Sequence, residues 1–264
     1  CIYGLGAPED FSREMILIQV GETLTRETIL QRLVHSQYSR NDVELKRGTF
    51  RARGDVIEVH PAYEETALRI ELFGDQVERI AIIDSLTGKT QQLVRIAAIY
   101  PAKHFMTHPA RLQEGVKAIR EELNERLELF EREGKLLEAQ RLKMRTEYDL
   151  EMLREIGYCP GIENYSRPLS GRVQGERAHC LIDYFPDDFL LIVDESHVTI
   201  PQIGGMYEGD RSRKQTLVDH GFRLPSALHN RPLKFPEFDG MIGQTIFVSA
   251  TPGEYELKKS GGVI

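Results

Sequence analysis

Through the first hundred residues, apolar positions recur mainly at every second place. GTFRARGDVIEVHPA, ALRIELFGDQVERIAIID and QQLVRIAAIYPA alternate with the period of strands, and Gly74-Asp75 marks a turn within the second. Ahead of them, GETLTRETILQRLVHSQY shifts to helical spacing. Thr23 or Thr25 offers an N-cap there, and Ile29, Leu30, Leu33 and Val34 form an apolar stripe. The segment from about Glu22 to Lys103 is therefore predicted to be a compact antiparallel sheet carrying one helix.

From Pro109 to Gly157 the spacing is helical throughout. RLQEGVKAIREELNERLELFERE and KLLEAQRLKMRTEYDLEMLREI predict two antiparallel helices broken at Gly134. Leu123, Leu127 and Phe130 mark one apolar stripe, and Leu137, Leu142, Met144 and Leu150 the facing one. The dense charge here reads as solvated helix surface. Beyond Ala178, HCLIDYF and FLLIVDES read as apolar strands, followed by a loop-rich polar region and a further run, TIFVSATPG. Continuous apolar runs of this kind predict a parallel α/β sheet covered on both faces.

Composition narrows the setting. With 264 residues, 41% of them hydrophobic, the chain has room for two or three compact units. No apolar run approaches about 18 residues, so no membrane helix is expected. The opening CIYGLGAPEDF lacks the basic and apolar regions of a signal peptide. It starts without Met on a turn-rich segment, the character of a piece cut from a longer protein. Cys1, Cys159 and Cys180 form no metal-type pair, and their odd number fits a reducing cytoplasm. The net charge of -7 leaves any nucleic-acid contact to a local basic face.

Two stretches could carry nucleotide chemistry. In FLLIVDESH the apolar run buries a strand and delivers Asp194 at its carboxyl end, where α/β sheets hold ligands. Asp194 can hold a magnesium ion through water, Glu195 can orient a water toward a γ-phosphate, and His197 can sense that chemistry. An acidic loop capping a strand is the plainer alternative. TIFVSATPG ends in Ser249-Ala250-Thr251, whose hydroxyls could bond the acidic loop and report its state, or form an ordinary turn before Pro252. A phosphate loop is not found. Gly88-Lys89-Thr90 repeats its tail, but Ile83 stands where the first glycine belongs and no amphipathic helix follows, so a turn is predicted.

KRGTFRARGD offers a different chemistry. On an extended strand Arg47, Thr49, Arg51 and Arg53 share one face, with Phe50 and Ala52 opposite. The guanidiniums would stand about 7–13 Å apart, each able to fork onto a carboxylate or phosphate. In ALRIELFG, Arg69 and Glu71 share a face, with Leu68, Ile70 and Leu72 opposite. Asp42, Glu44, Asp55 and Glu58 make this surface mixed, which favours a protein partner over direct DNA contact. KMRTEYDLEMLREIGYCPGIENYSR and DHGFRLPSALHNRP mix arginines with aromatics, a combination that holds phosphates and stacks bases. Helix-end packing is the simpler reading of both.

On these residues the chain resembles the UvrB family, the B subunits of the bacterial UvrABC excinuclease of nucleotide excision repair. CIYGLG, YSRNDVELKRGTFRARGDVIEVHPA, LLEAQRLKMRTEYDLEMLREIGYCPGIENYSR, DYFPDDFLLIVDESHVT, RKQTLVDHGFRLPSAL and VSATPGEYEL carry the resemblance, which runs from end to end. It implies an α/β fold: part of a RecA-like motor domain of helicase superfamily-2 type, an inserted antiparallel β-rich domain that binds UvrA, and a helical subdomain. Residues 1–14 and 178–264 would belong to the motor, 15–103 to the insert and 104–177 to the helical subdomain, with further helical-subdomain loops around 205–238.

Residue by residue, Asp194-Glu195-Ser196-His197 matches the family's Walker B (DExH) motif and Ser249-Ala250-Thr251 its motif III. The resemblance thus implies Mg-ATP held by Asp194 through water, with Glu195, His197, Ser249 and Thr251 serving hydrolysis. Arg40, Arg47, Arg51, Arg53, Arg69 and Glu71 fall on implied UvrA-binding positions. Phe105, Arg145, Tyr158, Phe222 and Arg223 fall on regions that in the family approach DNA. Implied partners are UvrA and, in a full-length parent, damaged DNA and UvrC. Walker A, the tyrosine-rich hairpin, the second motor domain and the UvrC-binding tail have no counterpart in this sequence. The chain alone is therefore expected to hold no Mg-ATP, to hydrolyse none and to bind DNA weakly. The UvrB-like, UvrA-binding region of the transcription-repair coupling factor is the alternative, but its nucleotide site is degenerate, whereas DESH and SAT are intact here.

Overall fold

A computed structural model describes residues 2–106 and 109–263. The chain divides into two units, one of Glu9–Met106 and one of Cys1–Pro8 with Thr107–Ile264. Cys1 lies outside the described residues; Cys159 and Cys180 are both buried free thiols.

Alternation builds the Glu9–Met106 unit. After α1 (Pro8–Arg13) come β1 (Ile16–Gln19), α2 (Arg26–His35), β2 (Ser39–Arg40), β3 (Thr49–Arg53), β4 (Val56–His60), β5 (Ala67–Phe73), β6 (Gln76–Ile83), β7 (Thr90–Val94) and β8 (Ile96–Ile99). Strands β2 to β7 form a six-stranded sheet in chain order, antiparallel except for the parallel β2–β3 pair. β1 and β8 make a separate antiparallel pair. One face of the large sheet contributes Phe50, Ala52, Ile57, Val59, Ile70, Leu72, Val77 and Ile80 to a core completed by Ile16, Ile18, Ile29, Leu33, Ala97 and Ile99. Side chains as enclosed as Phe50, Ile57, Ile70 and Ile80 each contribute about 1.5–3 kcal/mol.

The predicted sheet and helix are present, with local corrections. Thr25 rather than Thr23 caps α2, its hydroxyl accepting from the Thr28 N–H at 3.2 Å. Ile29 and Leu33 are buried and Leu30 partly so, but Val34 faces solvent. MILIQV supplies β1, a strand the periodicity of so short a run did not disclose. QQLVRIAAIYPA is not one strand: it breaks at Arg95 and passes from the large sheet to the pair with β1. Arg47 does not share a strand with Arg51 and Arg53, because Gly48 turns the chain at φ 76° before β3 begins.

In the other unit α3 (Pro109–Arg132) and α4 (Leu136–Ile156) pack together around the break at Gly134, φ 71°. Leu123 and Phe130 are buried and Leu127 partly so. The facing stripe on α4 is Ala139, Leu142, Thr146, Leu150 and Leu153. Leu137 and Met144 are exposed, since 3.6-residue periodicity puts them on the opposite side of that stripe. There follow α5 (Ser166–Ser170), β9 (Leu191–Val193), α6 (Ser196–Asp219), α7 (Phe235–Met241), β10 (Thr245–Phe247) and α8 (Glu254–Lys259).

This last stretch departs furthest from expectation. HCLIDYF is no strand but a 3-10 turn at Leu181–Tyr184, held because the Asp183 carboxylate accepts from the Cys180 N–H at 2.7 Å and pairs with Arg177 at 2.6 Å. FLLIVDES gives only three strand residues, with Leu190 and Ile192 exposed rather than buried. The loop-rich polar region is instead the 24-residue helix α6. The predicted parallel pairing is real, β9 beside β10, but among the described residues it is a two-stranded ribbon and not a sheet covered on both faces. Ile2, Cys180, Val193, Ile200, Leu233 and Phe238 form the core beneath it. No described helix is long and apolar enough to cross a membrane.

Candidate functional site

The acidic turn is built by β9 and closed by a segment about fifty residues later. Val248 N–H donates to the Val193 carbonyl and Ser196 N–H to the Val248 carbonyl, at 2.9 and 3.0 Å, which carries the parallel pairing past the strand ends. Between these bonds Asp194 and Glu195 emerge into solvent. Glu195 sits at φ 44°, a left-handed conformation that is costly for a residue with a Cβ. The Glu195 N–H donates to the Asp194 side chain at 3.0 Å, and the Thr199 hydroxyl to the Asp194 carbonyl at 2.9 Å.

His197 stands at the centre of the expected constellation. Its Nδ1 is 2.8 Å from the Ser249 hydroxyl and 3.5 Å from a Glu195 carboxylate oxygen. Ser249 also accepts from the Thr251 N–H at 3.1 Å, so the serine-threonine turn weighed from the sequence coexists with the bond toward the acidic loop. The two motifs therefore meet through His197, with Ser249 as the residue joining them. Thr251 is exposed and contributes its backbone rather than its side chain to this joint. Exposed carboxylates at a strand end, with hydroxyls nearby, could hold magnesium, which keeps several waters and takes few protein ligands. Among the described residues, no group of three or more His, Cys, Asp or Glu is arranged to hold a metal. Gly88-Lys89-Thr90 forms the predicted turn: the Asp84 carboxylate accepts from Leu86 N and Thr87 N, and Gly88 takes φ 68°.

On the outer face of the large sheet, the strand register lines charges into ladders. Arg51 pairs across with Glu58, and Glu58 with Arg69. Arg51 Nε donates to one Glu58 oxygen, and Arg69 Nε donates to the other at 2.8 Å. Burial pushes the Glu58 carboxyl up, and the two guanidiniums more than offset this, holding it below the usual glutamate value. The next row brings Arg53 opposite Val56, and Glu71 opposite Val56 and Arg79. Arg79 forks onto Glu71 at 2.6–3.0 Å.

At the sheet margin Arg40 bonds Asp42 at 2.9 Å, and Arg53 donates to the Asp42 carbonyl at 2.8 Å. The Ala52 N–H, then Arg40, keep the Asp42 carboxyl below its ordinary range. Arg47 stands apart, 3.7 Å from the exposed Glu65. Arg51, Arg53, Arg69 and Glu71 thus share this face, whereas Arg40, opposite Phe50 in the register, stands at the sheet margin and Arg47 leaves through the Gly48 turn. Sequence reasoning passed over Arg79 and treated Asp42 and Glu58 only as acidic neighbours. Val77 and Ile80 both face the core across a bulge in β6, so the break in alternation that turns Arg79 outward left no simple periodic signal for it.

Of the aromatic and basic candidates, Phe105 belongs to the sheet-bearing unit and is half-buried in irregular chain. Arg145, Tyr158, Phe222 and Arg223 belong to the helical unit. Arg145 bonds the buried Asp149 at 3.0 Å and the Pro160 carbonyl at 3.0 Å, the first of which raises its pKa. Phe222 is 43% exposed, with the Arg141 guanidinium 4.2 Å from its ring centroid. Arg141 and Arg145 are one turn apart on α4, so Phe222 and Arg145 lie along one face. Arg223 donates to the Phe222 carbonyl at 2.7 Å, and Tyr158 is half-buried just after the left-handed cap Gly157.

The family described as UvrB interaction domain matches residues 16–105, and that described as UvrB third helical domain matches residues 110–171. A protein of Natranaerobius thermophilus named UvrABC system protein B is 61% identical over 265 residues, covering all of this chain and 40% of that protein. Proteins of the same name from Carboxydothermus hydrogenoformans and Leifsonia xyli subsp. xyli are 60% and 56% identical, again over the whole chain and over 40% and 38% of their own lengths. The chain spans about two fifths of the length of the curated relatives it matches. With both family matches and this identity from end to end, the chain belongs to the UvrB family.

Proposed function

We propose that this chain serves nucleotide excision repair as the part of a UvrB-family protein that docks onto UvrA. The observation carrying this reading is the mixed-charge face of the β-rich unit, which falls within the residues matching the interaction domain. Its Arg–Glu–Arg ladder fixes side chains in place before a partner arrives, and Arg40 and Arg53 stand exposed at its margin. Preset, exposed charge of both signs favours a specific protein partner. The test is binding of purified UvrA to the chain carrying Arg40→Glu together with Arg53→Glu. Binding should weaken at least tenfold, and wild-type binding should fall as salt rises. Unchanged affinity overturns the assignment.

The finer parts of the reading follow the same lines. Residues 15–103 act as the insert, 104–177 as a helical subdomain with further loops around 205–238, and 1–14 with 178–264 as part of a RecA-like motor of helicase superfamily-2 type. The parallel β9–β10 pairing, with an acidic turn at its carboxyl end, supports the motor assignment. When bound there, Mg-ATP would supply the phosphoryl group; Asp194 would hold the metal through water, Glu195 would orient the attacking water, and His197 with Ser249 would link the turn to β10. In a protein of full family length, Glu195→Gln should abolish ATP hydrolysis while sparing nucleotide binding; retained turnover refutes the role. Damaged DNA would meet the Phe222–Arg145 face, UvrC would be a later partner, and the setting would be cytoplasmic.

A further inference from the structure

The core face of the six-stranded sheet carries an apolar strip that β1 and β8 leave uncovered. Leu68 and Ile82, paired with each other, lie two residues along from the fully buried Ile70 and Ile80 and point the same way, yet both are only partly buried. With Val94, Pro61, Tyr63 and Thr66 they line an open cleft of about 230 Å³, whose remaining wall includes Ile96, Ala97 and Ala98 of β8.

Beside that cleft runs a free strand edge. Val20 N–H donates to the Arg95 carbonyl, so in the register of β1 with β8 the backbone groups of Ile96 and Ala98 turn away from β1. Among the described residues no strand lies on that side. The Tyr63 hydroxyl occupies one end of the edge, donating to the Ala98 carbonyl at 3.3 Å and accepting from the Tyr100 N–H at 3.0 Å. Among the described residues, the Ala98 N–H and the Ile96 carbonyl are left open. An edge with unpaired groups next to an uncovered apolar strip has the shape of a place for one strand.

We propose that this edge receives an extended segment of a partner protein as a third strand beside β8, with alternate apolar side chains entering the cleft and a basic residue set against Glu64. Charge selects that occupant. Glu64 lines the cleft and has no ion pair among the described residues, and the neighbouring Glu65 is 93% exposed. The chain's own net charge of -7 disfavours a second copy, and a twofold β8–β8 contact would be antiparallel and need the Ala98 carbonyl that Tyr63 occupies, whereas a parallel incoming strand needs only the Ala98 N–H and the Ile96 carbonyl. The site is separate from the arginine face, which lies on the opposite surface of the same sheet.

The probe is the synthetic peptide acetyl-Lys-Val-Thr-Val-Thr-Val-Lys-amide, titrated into the isotope-labelled whole chain and followed by amide NMR. A saturable shift of the Ala98 amide, with exchange slowed roughly fivefold or more, is expected. Glu64→Gln should weaken binding about threefold, and Ile82→Lys should abolish it. A peptide N-methylated at alternate residues keeps its side chains but cannot pair; it should not bind, and this control needs no protein variant. The proposal is overturned by equal binding of the N-methylated peptide, by shifts confined to the Arg51–Arg69 face, or by no saturable shift at millimolar peptide. Concentration-dependent Ala98 shifts without peptide would make the occupant a second copy and overturn it as well.

Discussion

Replacing Glu58 with Gln removes the central charge of the Arg51–Glu58–Arg69 ladder while preserving its volume. The Glu58 side chain is 9% exposed, against 20% and 24% for Arg51 and Arg69, so the carboxylate is enclosed and the guanidiniums are partly solvated. Breaking a buried pair from one side costs about 3–5 kcal/mol. Partial exposure of both partners discounts that, and the amide retains one acceptor, leaving about 2–3 kcal/mol. Two guanidiniums facing one neutral side chain add repulsion in the same direction. In urea the unfolding midpoint of this unit should drop by roughly 1–2 M with the slope unchanged. The pH dependence supplies a second reading. The folded carboxyl sits below its unfolded value, so its stabilisation is fully present above the ordinary glutamate value and is lost as pH falls through the folded one. The gap between wild type and Glu58→Gln should therefore close in acid. Equal midpoints at neutral pH, or a gap undiminished in acid, would refute the account.

Other perturbations test the packing. Phe130→Ala should cost about 3–5 kcal/mol by calorimetry or denaturant melting, because the ring is fully buried and also lies under the Arg126 guanidinium at 4.4 Å; a loss under 1 kcal/mol would contradict its place in the α3–α4 core. Gly221→Ala should destabilise by about 2–4 kcal/mol, since the residue takes φ 69° and a Cβ would stand 2.4 Å from the Glu138 carbonyl oxygen. Gly134→Ala keeps the strained φ of 71° but meets open space, so its cost should be only about 1 kcal/mol; comparable losses at the two glycines would refute the distinction.

Legibility followed locality. The hairpins β3–β4 and β5–β6 could be read because alternation and Gly-Asp turns lie within each segment, and the helix pair because its stripes repeat over many turns. The arginine face was legible too, since register follows from those turns; the pairing of Glu58 with two arginines at once was not, because it depends on three strands. α6 was concealed by Pro201, Gly204, Gly205 and Gly209, which read as breakers. It persists across Pro201, the sixth residue of the helix, because tertiary contacts hold it. Tyr3 bonds Asp210 at 2.5 Å, Lys214 reaches the Asn230 carbonyl, and Ile200 and Val218 are buried. HCLIDYF misled in the opposite sense, its apolar residues suggesting a strand while Asp183 turned the backbone onto itself.

The acidic turn carries a temporal consequence. Its shape depends on the bond between Ser196 and Val248 and on the His197–Ser249 contact, which spans 52 positions of chain. As the polypeptide leaves the ribosome, the β-rich unit through Met106 can close on itself long before Ser249 has been synthesised. Asp194 and Glu195 must wait, translated but unshaped, while α6, α7 and β10 are added. In this chain the charged face of the β-rich unit takes shape first, and the Asp194–Glu195 turn is ordered only afterwards.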